Sequence, residues 1–124
     1  MNARKIYFTQ TALKTLRKIG YETEKRWGKR QAKHYLQALI DQSHALPSEN
    51  SKKLEKEDES IQSLSMQRIQ HHYVAFRTLS DGSIAIGGFL HERMDLPNRL
   101  KELQGMSQRE IHSIEVGLKT PANT

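Results

Sequence analysis

The stretch from Tyr73 to Asp95 limits the fold more than any other. Two runs of strand formers, Tyr73-Val74-Ala75-Phe76-Arg77-Thr78-Leu79 and Ile84-Ala85-Ile86-Gly87-Gly88-Phe89-Leu90-His91, flank Ser80-Asp81-Gly82-Ser83. An Asp-Gly pair tolerates the positive φ that a tight hairpin turn demands, so the two runs are expected to fold back on each other. A two-stranded ribbon is marginal in water, so the chain must add strands to it and cover a face with something apolar. Alternation along the second run puts Ile84, Ile86 and Leu90 on the covered face and His91 on the opposite, open one. In the first run Val74 and Phe76 join the covered face, while Tyr73, Ala75 and Arg77 face out. Gly87-Gly88 lies inside a strand and does not open a helix, so it predicts a bulge or a close backbone approach and not a phosphate-binding loop.

The cover comes from the N-terminal half. Lys5 to Thr9 reads as a short edge strand, and Thr9 or Thr11 can cap the helix that follows. From Gln10 to Trp27, Ala12, Leu16, Ile19, Thr23 and Trp27 recur at three- and four-residue steps, one apolar stripe on an amphipathic helix with Trp27 as its last core residue. Gly28 suits the end of that helix. A second helix follows from Lys29 or Arg30 to Leu46, with Ala32, Tyr35, Leu36, Leu39 and Ile40 on one side and Pro47 ending it. The short break at Gly28 makes the pair an antiparallel hairpin.

Ser48 to Ser60 is charged and nearly without apolar residues, and reads as a mobile loop. Ile61 to Met66 alternates weakly, as an inner strand would, with Gln67 to Gln70 turning the chain into Tyr73. Beyond Asp95, Leu96, Leu100 and Leu103 have helical spacing. Gly105 is expected to break that helix, and Ser107-Gln108-Arg109-Glu110 matches a capping box before a last helix carrying Ile111, Ile114 and Leu118. The fold class that follows is α+β: an N-terminal helical hairpin packed on one face of a small antiparallel sheet, with one or two C-terminal helices. Residues 1–124 are expected to form one domain, with its core over about 5–103 and a C-terminal extension over 104–124.

Composition removes several functions. No run of about 18 apolar residues could span a bilayer, and the first residues lack the apolar stretch of a secretion signal. The chain has no cysteine, which excludes disulfides and thiolate chemistry and fits a reducing cytoplasm. The formal net charge is +6, and its distribution is uneven. Lys and Arg from Arg4 to Lys33 far outnumber Glu22, Glu24 and Asp41, so the helical hairpin is basic and suited to an acidic partner, whether nucleic acid or protein.

Motifs for chemistry are sparse. His91-Glu92 begins like a zinc-protease signature, but position 95 is Asp where the second histidine belongs. His71 and His72 are neighbours, so in a strand they point apart and cannot share an ion. Neither a metal nor a cofactor is expected. Tyr73, Arg77 and His91 are expected to share the open sheet face, with Arg93 at its rim and Arg68 nearby; such a set could bind a phosphate, and Arg with His could assist phosphodiester cleavage.

The order of these pieces has a family likeness. Arg26-Trp27-Gly28-Lys29 at the helical bend, Gln31-Ala32 and Tyr35 after it, Leu46-Pro47, His72-Tyr73-Val74-Ala75-Phe76-Arg77, Ile84-Ala85-Ile86 and Leu90-His91-Glu92-Arg93-Met94-Asp95 together resemble the RelE/ParE superfamily of bacterial toxins. The likeness is closest to the ParE branch and runs from about Lys5 to Leu100. It implies a cytoplasmic toxin of a type II toxin-antitoxin system, neutralised by a cognate antitoxin, that inhibits DNA gyrase by binding and not by catalysis. The alternative it carries is a RelE-like endoribonuclease that cuts mRNA on the ribosome with Arg77, His91 and Arg93. Arg68, Tyr73, Arg77, His91 and Arg93 are the candidates for contact with target or antitoxin, and oligomerisation through the antitoxin complex stays open.

Overall fold

Asp81 and Gly82 turn the chain as their chemistry requires in the computed structural model, which describes residues 5–46, 52–53 and 64–119. Gly82 takes φ 87°, and Asp81 Oδ1 accepts hydrogen bonds from the Ser83 N–H and hydroxyl, which hold the carboxyl below its usual range. The turn pairs β4 (His72–Thr78) with β5 (Ile84–His91) antiparallel. Around them lie β1 (Ile6–Phe8), β2 (Lys52–Lys53) and β3 (Ser65–Ile69), in the order β1-β5-β4-β3-β2. The sheet is antiparallel except at one edge, where β1 runs parallel to β5. That edge is open to a parallel strand because two intervening helices supply the long crossover it needs.

Those helices are α1 (Gln10–Trp27) and α2 (Lys29–Ser43). Thr9 caps α1: its hydroxyl accepts from the Ala12 N–H at 3.0 Å and donates to the Ile86 carbonyl at 2.9 Å, which ties the strand-to-helix junction to β5. Gly28 ends α1 at φ 89°, a left-handed conformation that only glycine adopts cheaply, and opens α2 in the same step. Ala12, Leu16, Ile19 and Leu39 pack against Val74, Phe76, Ile84, Ile86 and Phe89.

Two expectations fail at the ends of these elements. The second strand ends later than its alternation suggests, because β3 runs from Ser65 to Ile69 and Gln67, Arg68 and Ile69 pair with Val74, Tyr73 and His72; only Gln70 and His71 form the turn. In the charged stretch from Ser48 to Ser60, Lys52 and Lys53 form β2 against Met66 and Ser65, and the rest of that expected loop lies outside the described residues.

At Gly87-Gly88 the predicted bulge is present. Phe76 pairs with Ile86 and Ala75 with Gly88, so Gly87 has no opposite number and the alternation reverses beyond it. Ile84 and Ile86 face α1 and α2 as expected, but Phe89 takes the place on that face that alternation assigns to Leu90. Leu90 turns to the other face, which is not open. There α3 (Leu96–Lys119) lays Leu103 and Ile111 over Leu64, Ala75, Leu79, Ala85 and Leu90. Contact is close enough that a Cβ on Gly88 would stand 2.5 Å from Leu103.

Helix α3 is one unbroken helix, so Gly105 does not end it. Ser107 is no N-cap; its buried hydroxyl donates to the Leu103 carbonyl at 2.7 Å inside the helix. Helix α1 has no acidic residue in its first turn, and Glu110 of α3 fills that role by accepting from the backbone N–H of Gln10 at 2.6 Å and of Thr11 at 3.1 Å. Burial raises the Glu110 carboxyl, but these bonds, the Thr11 hydroxyl and nearby Lys14 outweigh it and hold the group below its usual range. Glu110→Gln should therefore lower stability by about 1–2 kcal/mol, the scale of a lost helix cap, seen as a lower urea midpoint at pH 7. Because the folded pKa is depressed, this contribution is present at neutral pH and lost as pH falls through the carboxylate range; the Gln variant should lack that part of the acid response.

Candidate functional site

The bulge decides which polar side chains meet. His72 starts β4 with the parity of Val74 and Phe76, so it points toward α2 and is only 8% exposed. Its Nδ1 lies 2.6 Å from the Tyr35 hydroxyl, and that hydroxyl also accepts the His71 N–H at 3.1 Å. The hydroxyl can donate to Nδ1 of a ring protonated on Nε2, or accept from Nδ1–H of the other tautomer beside the His71 N–H. Burial, then His91 and His71, push its pKa down to about 4, with Glu92 opposing. His91 stacks edge-on to His72 at 5.0 Å between ring centroids, and its Nδ1 accepts the Arg93 N–H at 3.0 Å. Burial raises the Tyr35 hydroxyl pKa.

A second group lies at the same end of the sheet on the other face. Glu92 uses one carboxylate oxygen on Arg68 and the other on His71 Nδ1, tying the end of β5 to the turn between β3 and β4. The His71 hydrogen bond, aided by Arg68, holds the Glu92 carboxyl below its usual range. Arg68 and Tyr73 are register partners and share this face. Arg77 shares it too, but sits four residues along β4, about 13 Å away. There burial lowers its pKa and the charge of Glu115 on α3 opposes the shift. Arg93 is exposed just past β5, with no ion pair among the described residues.

The three residues expected on one open face, Tyr73, Arg77 and His91, are therefore dispersed. Arg68 and Tyr73 stay together, Arg77 lies beside α3, His91 is carried to the hairpin side by the bulge, and Arg93 stands at the rim. Arg77, His91 and Arg93 do not converge on a point where one scissile bond could sit, as acid-base cleavage requires. Tyr35, His72, His71 and Glu92 are engaged with one another, a rigid polar end suited to recognition. The signal for His72 was legible: its parity with Val74 and Phe76 puts a histidine on a core face. Tyr35 passed for one more member of an apolar stripe.

A third feature departs from expectation. Trp27 is 69% exposed and not a core residue, because the buried positions of α1 stop at Ile19 and the last two turns project past the sheet. After it in the chain, Lys29, Arg30, Lys33, His34 and Gln37 form an exposed, basic face of α2. None of these cations has an ion pair among the described residues.

A helical hairpin clasped on one face of a small sheet, with a basic outer surface and a polar end, is the arrangement that this chain shares with toxins of the RelE/ParE superfamily. A solved chain of the chromosomal ParDE TA system from P. aeruginosa shares that fold at TM-score 0.56 and 14% identity, over 72% of this chain and 96% of that one. The family described as ParE toxin of type II toxin-antitoxin system, parDE, matches residues 6–96. Toxin ParE of Escherichia coli is 32% identical over 94 residues, which cover 76% of this chain and 90% of that protein. The chain belongs to the ParE toxin family of type II toxin-antitoxin systems.

Proposed function

We propose that this chain inhibits DNA gyrase in the cytoplasm and is held inactive by a cognate antitoxin. The observation that carries this reading is the ParE family match over residues 6–96, which takes in every strand, both hairpin helices and the Leu90-to-Asp95 segment. The dispersal of Arg77, His91 and Arg93 supports action by binding and speaks against a ribosome-dependent nuclease. No helix among the described residues is long and apolar enough to cross a membrane. Since α3 covers the second sheet face, the antitoxin is expected to use an edge: β1 and β2 end the sheet, and an extended antitoxin segment can add a strand there and order as it binds.

Purified toxin freed from antitoxin should stop gyrase supercoiling of relaxed plasmid, and added antitoxin should restore it. Cleavage of mRNA in a translating extract with supercoiling untouched would replace this reading with the nuclease. For target contact we favour the exposed end of β5, with Arg93 as the anchor and His91, Arg68 and Tyr73 around it; Arg77 contributes through α3. Arg93→Ala is expected to reduce growth inhibition at least tenfold and leave antitoxin affinity within a factor of two, since the side chain supports nothing else in the fold. Unchanged toxicity would remove the rim from the site.

A further inference from the structure

We infer that the bend between α1 and α2 is a binding surface for single-stranded nucleic acid, on which Trp27 stacks on an unpaired base and the cations of α2 hold the strand's phosphates. Trp27 is exposed in the last turn of α1, and across Gly28 the first turn of α2 opens the basic face of Lys29, Arg30, Lys33 and His34. Lys29 and Lys33 stand four residues apart on one side of α2, so their donors are spaced about 6 Å apart, a repeat comparable to that of phosphates on a stretched strand; Gln37, next in the row, donates to Asp41.

Among the described residues, no acidic side chain pairs with the cations of this patch. Lys29 and Arg30 stand in the first turn of a helix, where the macrodipole disfavours positive charge, and the cap at Gly28 offers no side chain to offset it. Neither residue has an ion pair among the described residues. Trp27 exposes a large π surface that no neighbouring element covers. A local rule broken without an internal gain is the mark of a binding surface.

The composition of the patch selects the partner. Protein interface cores enrich Trp and Arg but deplete Lys, and their aromatic anchors are ringed by apolar contacts. In sequence Trp27 is flanked by Lys25, Arg26, Lys29 and Arg30, all exposed, with Glu24 a turn before it and no aliphatic neighbour to build such a core; the Lys25 ammonium lies over the Tyr21 ring. An exposed aromatic face next to a row of cations fits the pairing of stacking platform and electrostatic track that single strands use. In a duplex the bases are paired and stacked, and the indole has nothing to receive.

Trp27 is the only tryptophan, so its emission reports on this site alone. A short oligothymidylate added to the full chain should quench that emission strongly at low salt. With three cations engaged, affinity should fall about twentyfold between 50 and 200 mM salt, and the Lys29→Gln/Lys33→Gln variant should show only about a threefold fall. Trp27→Leu, at an exposed position that leaves the helical circular dichroism unchanged, should weaken binding of a labelled oligothymidylate by tenfold or more. Oligouridylate in parallel assigns the strand: comparable binding supports a surface tolerant of either sugar, and a preference names RNA or DNA. The proposal is overturned by absence of quenching at 50 mM salt, by equal binding of a duplex with Trp27→Leu unimpaired, or by a polyglutamate peptide that competes as well as the oligonucleotide.

Discussion

A chain ended at Asp95 is expected to fail as a soluble monomer. Removing α3 bares Leu64, Ala75, Leu79, Ala85 and Leu90 together, a contiguous apolar face that the sheet cannot cover from its own strands. Burial of each large aliphatic side chain contributes about 1.5–3 kcal/mol, so the loss approaches the whole 5–15 kcal/mol that ordinarily holds a domain folded. The cap that Glu110 places on α1 goes as well, and so do the bonds from the Ser80 N–H to Glu115. Size-exclusion chromatography should find the truncated chain aggregated or bound to a partner. A gentler version keeps the chain length: Ile111, 1% exposed, becomes alanine, with an expected loss of about 2–5 kcal/mol by urea unfolding. If the truncated chain stayed monomeric with an unchanged midpoint, α3 would be an appendage and not half of the core. The family match ends at residue 96, where α3 begins, so the helix that covers this face lies outside the matched part. A partner that reached that face would first have to lift α3.

How far the fold could be read depends on whether its cause was local. The Asp81-Gly82 turn, the break at Gly28 and the Thr9 cap each rest on a few adjacent residues with one good conformation, and all three are where the sequence puts them. Gly87-Gly88 was legible as a bulge, yet the alternation was carried through it; one extra residue sent Leu90 to α3 and His91 to His72 and broke up the expected open-face site. The bulge is local, but its effect on parity reaches four residues further and into another helix. Ser107 and Glu110 satisfied a capping pattern at a helix start that does not exist, because packing of Leu103 and Ile111 on the sheet carries the helix straight through Gly105. Glu110 does cap a helix N-terminus, but that of α1, about a hundred residues away in sequence and beyond any local rule. Trp27 kept the period of the α1 stripe past the point where there was anything left to pack against. Periodicity tells which residues share a side, not whether that side is covered.

Acidification from pH 7 to 4.5 is expected to weaken the fold by about 2 kcal/mol through His72. The imidazole sits against Tyr35 with its pKa pushed from 6.5 down to about 4, first by burial and then by His91 and His71. In the unfolded chain it takes up a proton near pH 6.5; in the folded chain it refuses one until about pH 4. Stability from this group is therefore whole above pH 6.5, falls as pH drops between those values, and levels off once the folded form also protonates. At 1.36 kcal/mol per pH unit the unscreened limit is about 3 kcal/mol, and solvent at the ring edge lowers it to about 2. The carboxyls of Glu110, Asp81 and Glu92, all held below their usual range, act in the same direction but only below about pH 4.5, so the histidine window stands clear of them. Protonation also fixes the direction of the contact that fastens α2 to the start of β4: a charged ring carries a proton on Nδ1, so it donates to the Tyr35 oxygen and cannot accept from the hydroxyl. Urea midpoints measured at pH 7, 5.5 and 4.5 should fall steadily for the parent chain. His72→Gln, whose amide oxygen can still accept from Tyr35 but does not titrate, should hold a nearly constant midpoint over the same interval. A variant as pH-sensitive as its parent would place the acid response elsewhere and leave His72 with a packing role alone.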